Sequence, residues 1–247
     1  MGGFYFEEFW KPNSICTFTY MRKRLVVLTG AGMSAESGLK TFRDENGLWE
    51  GHDVTKVASP EGFRNNPELV LDFYNQRRRQ LKETSPNKAH LTLAALESDL
   101  DVQIITQNVD NLHERAGSSH VLHLHGELTK VRSTGNPNNV KEWTGDLVLG
   151  DVCEQGHQLR PHVVWFGEDV PMMFRAVELC TRADLLLIIG TSLQVYPAAG
   201  LMHYAPEGIP IFYIDPRPNL NSHGNLKVIP KIASEGIEDF KEYLKNS

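Results

Sequence analysis

The chain has few cysteines, no long apolar run and no surplus of positive charge. Its three cysteines in 247 residues (Cys16, Cys153 and Cys180) are odd in number and far apart. They form no disulfide framework, and their scarcity suits a reducing cytoplasm. No run of about 18 apolar residues occurs, so a membrane-spanning helix is not expected. Acidic residues outnumber basic ones, 31 to 25, and the net charge of −6 argues against nucleic acid as the main partner. The first residues include Glu7 and Glu8 and lack the basic start and apolar stretch of a secretory signal. Phe6 stands where a myristoylation motif needs Ser or Thr. Residues 1–20 are aromatic-rich and are read as an extension of unassigned order, with Met21 a candidate start of a domain spanning 21–247. No repeat or low-complexity tract is visible. What is present is 40% hydrophobic content, enough for one substantial core with a small inserted lobe.

Short, mostly unbroken apolar runs predict strands at Leu25–Leu28, Val102–Thr106, Val121–Leu124, Leu185–Ile189 and Ile211–Ile214. Helical patterns fall between and after them at Pro67–Lys82, Lys88–Glu97, Met172–Thr181, Ala198–Tyr204 and Ile237–Lys245. Such alternation predicts an α/β fold with a doubly wound, parallel, Rossmann-like sheet, and ligands bind beyond the carboxyl ends of such strands. The stretches 40–81 and 129–159 interrupt the alternation and are read as a second, smaller lobe.

The segment Arg24 to Gly38, RLVVLTGAGMSAESG, carries the strongest chemical signal. Gly30 and Gly32 leave the backbone bare after a strand, where it can approach a pyrophosphate and a helix N-terminus can follow. Gly30, Gly32 and Ala35 fit the dinucleotide fingerprint, and an ordinary glycine-rich turn fits as well. No second strand ending in an acidic ribose ligand follows, as a hydride-transferring dehydrogenase would require. A long polar loop from Thr41 to Trp49 stands there instead, and loops of that kind are usually functional. Within it Arg43 is either a pyrophosphate contact or a solvated charge. Gln107, Asn108 and Asp110 end a strand and can meet a carboxamide and ribose hydroxyls, though a turn leading into a helix reads the same. His125 ends another strand, where it can act as a general base; position alone favours a structural histidine. Tyr74 and Arg77, at i and i+3, share a helix face, either as a carboxylate clamp or as part of a solvated basic helix.

Taken with Leu124-His125-Gly126-Glu127, Arg160 to Glu168 (RPHVVWFGE) and Gly190-Thr191-Ser192, these motifs resemble the sirtuin family of NAD-dependent protein-lysine deacylases, in the family's order from Arg24 onward. The resemblance implies His125 and Asn108 as catalytic residues. It implies NAD contacts at Gly30, Ala31, Gly32, Ser34, Glu36, Thr41, Phe42, Arg43, Trp49, Gln107, Asn108, Asp110, Gly190, Thr191, Ser192, Asp215 and Ala233. The substrate, an acylated lysine of a protein, would pair as an added strand with Val163, Trp165 and Phe166. Tyr74 and Arg77 resemble the pair found in family members that accept succinyl- or malonyl-lysine, with Ala58 as the small residue making room for the acid. In the implied reaction the acyl oxygen attacks C1′ of the nicotinamide ribose and nicotinamide leaves. His125 then deprotonates a ribose hydroxyl, which captures the imidate carbon, and water completes the release of lysine and 2′-O-acyl-ADP-ribose.

The chain departs from the family in two places. Most sirtuins hold a structural zinc with two Cys-x-x-Cys pairs. Here Ser133 and Asn136 replace the first pair, and only Cys153 remains of the second, with Gly156 near its partner's place and His157 next to it. One thiolate and one imidazole are too few for a four-ligand site, so no zinc is expected. Asp215 stands where Asn is frequent, which favours NAD over NADP because a 2′-phosphate would be repelled. Mono-ADP-ribosyl transfer and a non-catalytic NAD-sensing module are the alternatives.

Overall fold

The centre of strand β1 (Arg24–Thr29), Leu25 to Leu28, is apolar because both of its faces are covered. Leu25 and Val27 face one core with Met33, Leu93 and Phe240, while Val26 and Leu28 face a second with Ile105, Ala176 and Leu201. This computed structural model describes residues 22–39, 48–49 (backbone only) and 51–246. After β1 come α1 (Ala31–Ala35), the paired strands β2 (Leu48–Trp49) and β3 (His52–Asp53), and helices α2 (Val54–Val57), α3 (Pro60–Asn65), α4 (Pro67–Glu83) and α5 (Lys88–Leu96). The middle of the chain forms β4 (Asp101–Thr106), α6 (Leu112–Arg115), β5 (Val121–His123), β6 (Gly126–Ser133), β7 (Val140–Glu142), β8 (Leu159–Val163) and α7 (Met173–Cys180). It ends with β9 (Leu185–Ile189), a 3-10 helix (Ala198–Tyr204), β10 (Ile211–Ile214), β11 (Leu226–Ile229) and α8 (Ala233–Lys245).

The large sheet runs in the order β11-β10-β9-β1-β4-β5, with every pair parallel. The chain moves outward from β1 through β4 and β5, then crosses back to place β9, β10 and β11 on the other side. That reversal opens a crevice between β1 and β9 at the carboxyl edge, where doubly wound sheets bind ligands. Thr29 is level with Thr106 on one side and Ile189 on the other, so the loops starting at Gly30, Gln107 and Gly190 leave from a single edge.

A second sheet, β7-β6-β8, is antiparallel and packs against α4 through Leu71, Val131, Leu147 and Leu159. Helix α4 starts where Asn66 accepts from the Leu69 amide and Pro67 opens the first turn. Helix α5 starts with a capping box in which Asn87 and His90 satisfy each other's orphan amides.

Several elements differ from the expectations. Helix α8 begins at Ala233 rather than Ile237, and Ala198–Tyr204 is wound as a 3-10 helix. Of the residues expected to pair with the substrate, Val163 is the last residue of β8, and Trp165 and Phe166 lie beyond the strand. β11 carries Lys227 between its buried ends, which masks it as an apolar run. Among the described residues no helix is long and apolar enough to cross a membrane.

Candidate active site

Three glycines from two loops interlock at the crevice. The Gly32 amide donates to the Gly190 carbonyl at 2.8 Å. A Cβ added to Gly30 would stand 2.7 Å from Thr191 Cβ, and one on Gly32 would stand 2.9 Å from the Gly190 oxygen. Gly190 has φ of +63°, and a Cβ there would lie 2.2 Å from the Met33 nitrogen. Side chains here would push apart the loops that follow β1 and β9, which run side by side only because their contact is bare backbone.

The loop after β4 is anchored to this junction. Asn108 is buried and its Nδ2 donates to the Gly30 carbonyl and to Ser34 Oγ, both at 3.0 Å. Ser34 Oγ in turn donates to Asp110 Oδ2 at 2.9 Å, and Asp110 Oδ1 accepts from the Leu112 amide at 3.1 Å. Burial pushes the Asp110 carboxyl above the usual carboxylate range. Gln107 Nε2 donates to Thr191 Oγ1 at 3.1 Å, joining the β4 loop to the β9 loop. Thus Gly30, Gly32, Ser34, Gln107, Asn108, Asp110, Gly190 and Thr191 form one hydrogen-bonded and packed cluster, with Ala31 on the α1 turn between the first two glycines.

His125 completes it. Its Nδ1 lies 3.0 Å from the Gln107 carbonyl oxygen. A carbonyl only accepts, so the proton sits on Nδ1 and the Nε2 lone pair is left as a base. Burial holds the imidazole below its usual range, which keeps it neutral around pH 7. The result is a neutral base fixed in one tautomer at the carboxyl edge of the sheet.

Of the remaining predicted cofactor residues, Glu36, Ser192, Asp215 and Ala233 fall among the described residues. Glu36 accepts from the Ser234 amide at 3.0 Å and from its hydroxyl, tying the turn after α1 to the start of α8, where Ala233 is buried. Asp215 follows β10; its Oδ1 accepts from the Arg217 amide at 2.9 Å, and burial raises its pKa. The Ser192 carbonyl accepts from Asn219 Nδ2 at 2.8 Å. Thr41, Phe42 and Arg43 lie outside the described residues, and of Trp49 only the backbone in β2 is described.

The predicted substrate residues gather between α4 and the end of β8. Tyr74 is fully buried, and its hydroxyl accepts from Trp165 Nε1 at 2.9 Å. Desolvation pushes that hydroxyl above the usual phenol range. The Phe166 amide donates to the Ala58 carbonyl at 3.0 Å, and the Phe166 side chain is exposed. Val163 is buried, with its carbonyl accepting from Arg160 at 2.9 Å. Arg77 is half-buried one turn beyond Tyr74, its guanidinium 5.3 Å from the Phe73 ring.

Sequence reasoning missed the support beneath this segment. Arg160 stacks 3.3 Å from the Trp165 ring centroid and donates to Glu168 Oε1 at 2.6 Å. Glu168 also accepts from Arg132 at 3.0 Å and from the Trp165 amide at 2.8 Å. It missed His123 as well, although its i, i+2 spacing from His125 was a usable signal.

At the end of β6, Ser133 Oγ donates to Cys153 Sγ at 3.2 Å. A Cβ on Gly135 would stand 2.3 Å from His157 Cδ2, so that imidazole lies flush against the glycine. Among the described residues no three His, Cys, Asp or Glu side chains gather as a metal site. A hydroxyl, one thiol and an imidazole packed on backbone do not fit a tetrahedral structural zinc.

Comparison with known proteins matches residues 30–197 to the family described as Sir2 family. An NAD-dependent protein deacylase of Helicobacter pylori is 59% identical over 219 residues, covering 88% of this chain and 95% of that protein. One from Bacteroides thetaiotaomicron is 55% identical over 229 residues, covering 90% and 98%. A solved Sir2 homologue in complex with NAD superposes with a TM-score of 0.80 at 40% identity, covering 91% of this chain and 90% of the other.

Proposed function

This chain belongs to the Sir2 family, and from that premise we propose that it is an NAD-dependent deacylase of protein lysines. The observation that carries the reading is the fixed tautomer of His125. Its Nδ1–H is committed to the carbonyl of Gln107, the neighbour of Asn108, whose side chain bonds Gly30 and Ser34, and its Nε2 is left as the base. NAD supplies a ribose activated by a departing nicotinamide. The chain's own residues do the rest: the glycine junction admits the dinucleotide backbone, Asp110 and Asn108 orient the carboxamide and ribose, and His125 Nε2 takes a ribose hydroxyl proton. The products are free lysine, nicotinamide and 2′-O-acyl-ADP-ribose.

The finer specificity follows from Tyr74, Arg77 and Ala58. A half-buried guanidinium favours acyl groups that end in a carboxylate, and Ala58, in the same packed cluster as Tyr74, leaves room for them, so succinyl- and malonyl-lysine are accepted along with acetyl-lysine. The peptide adds as a strand at the end of β8, beside Val163, Trp165 and Phe166, where Trp165 is fixed from behind by Tyr74. The small lobe is stable without zinc, held by the Leu71–Val131–Leu159 packing and the Ser133–Cys153 bond. Two buried free thiols, Cys153 and Cys180, suit a cytoplasmic setting.

The test is a panel of acetyl-, malonyl- and succinyl-lysine peptides, assayed for nicotinamide and for acyl-ADP-ribose by mass spectrometry. Acyl removal at equal rates with and without NAD would defeat the proposal. A protein-bound label from labelled NAD would point to ADP-ribosyl transfer instead, and stoichiometric zinc by metal analysis would overturn the metal-free lobe.

A further inference from the structure

His123 takes no part in the chemistry described above, yet its side chain is only 7% exposed and both ring nitrogens are engaged. Nδ1 lies 3.0 Å from the Asn108 carbonyl oxygen, and Nε2 lies 2.7 Å from Glu114 Oε1. Both partners can only accept. A neutral imidazole has one N–H and can satisfy one of them; the imidazolium satisfies both. His125, two residues on, makes the parallel bond to the preceding carbonyl, Gln107, at 3.0 Å and needs only one proton to do so. The two histidines therefore grip consecutive carbonyls of one loop in opposite charge states.

Asn108 is thereby held at several points. Its amide donates to Thr106 Oγ1 at 3.0 Å, its side chain donates to Gly30 and Ser34, and its carbonyl accepts from His123. Losing the last bond would free the peptide plane that follows Asn108 and, through it, the approach to Asp110. We infer that His123, as an imidazolium bridged to Glu114, is a positioning residue that locks the Asn108 loop, and that its deprotonation sets the alkaline limit of activity. This rests on the deacylase reading.

The surrounding charges agree with that assignment. Burial opposes the charge on His123, but the Glu114 carboxylate, the Asn108 carbonyl and the more distant Glu127 together hold its pKa above the ordinary imidazole range. Around it stand Asp110, whose carboxyl the imidazolium draws downward, and His113, which it helps to keep neutral. Lys130, paired with Glu127 at 2.7 Å, also acts on Glu114. His125 is held below its usual range, so the acid limb of the profile belongs to His125 and the alkaline limb to His123.

The experiment compares Glu114→Gln with the unaltered protein in two readouts. The first is kcat/KM for nicotinamide release from an acyl-peptide between pH 5 and 10. The second is NMR titration of labelled histidine rings in the protein without NAD. The unaltered protein should give a bell-shaped profile, with His123 titrating above about 6.5. In Glu114→Gln the alkaline limb and the His123 titration should both move down by about one pH unit or more, leaving the acid limb in place. An alkaline limb that stays put while the ring titration moves overturns the role of His123 alone. So does a His123 ring that titrates at or below the ordinary imidazole value. An unaltered protein that releases no nicotinamide at any pH overturns the deacylase reading itself.

Discussion

Acid should destabilise this fold through its buried, neutral histidines, and His90 is one whose share can be worked out. It is fully buried on α5, and its Nδ1 accepts from the Asn87 amide at 3.3 Å. Its ring centroid lies 4.8 Å from that of His113, whose Nε2 is 3.2 Å from Thr29 Oγ1 at the end of β1. Desolvation pushes the His90 pKa down to about 4, from an ordinary 6.5. The unfolded chain therefore gains a proton below about pH 6.5 that the folded chain refuses until pH 4, and stability falls as pH falls through this window. A tenfold difference in proton affinity is about 1.4 kcal/mol, so moving from pH 7.5 to 4 removes about 3 kcal/mol at this residue. The control is His90→Gln: glutamine at that position can still close the capping box on Asn87 but cannot titrate. Urea unfolding followed by circular dichroism at both pH values gives the comparison, since groups distant from position 90 cancel and His113, 4.8 Å away, is the one neighbour whose protonation the substitution also alters. The unaltered protein should lose about 3 kcal/mol more than the variant, a gap in midpoint of roughly 1 M urea. If both proteins lose the same stability to within about 0.5 kcal/mol, His90 is not the acid-sensitive group and the burial argument is wrong.

Other substitutions test separate parts of the site. Arg77→Met should lower kcat/KM for succinyl-peptides by about 10- to 150-fold, the worth of a charge-assisted hydrogen bond, and change acetyl-peptides by less than about threefold. Equal losses on the two substrates would assign Arg77 a structural role. Gly190→Ala forces a side chain into the left-handed region, at about 1–2 kcal/mol, and against the Met33 amide, so NAD binding by calorimetry should drop sharply with a lower melting temperature; unchanged NAD affinity would refute the interlocked loops. Glu168→Gln leaves Arg132 and Arg160 without their shared carboxylate and should destabilise the fold by on the order of 3 kcal/mol. It should also raise KM for peptide more than KM for NAD, and a neutral result in thermal melts would show that the pair contributes little.

How much of this was legible in the sequence depends on the range over which each signal acts. β1, β4, β9 and β10 are apolar runs because both faces are covered, so their composition alone reveals them. β6 is covered unevenly and carries Glu127, Lys130 and Arg132, so its alternation is diluted by charge and it reads as polar loop. The glycines show the same contrast at the site. Gly30 and Gly32 are readable as a phosphate-approach signal because the motif is local. That they also have to clear Gly190 is invisible in sequence, because the contact joins loops about 160 residues apart, each making sense only with the other in place. Charge state is less legible still. His123 and His125 differ in sequence only by position, yet one faces two acceptors and the other faces a single carbonyl. That difference comes from where α6 places Glu114, and a helix of four residues leaves almost no periodic trace. The local code thus marks where the loops leave the sheet, whereas the acid–base assignment depends on which loop packs against which.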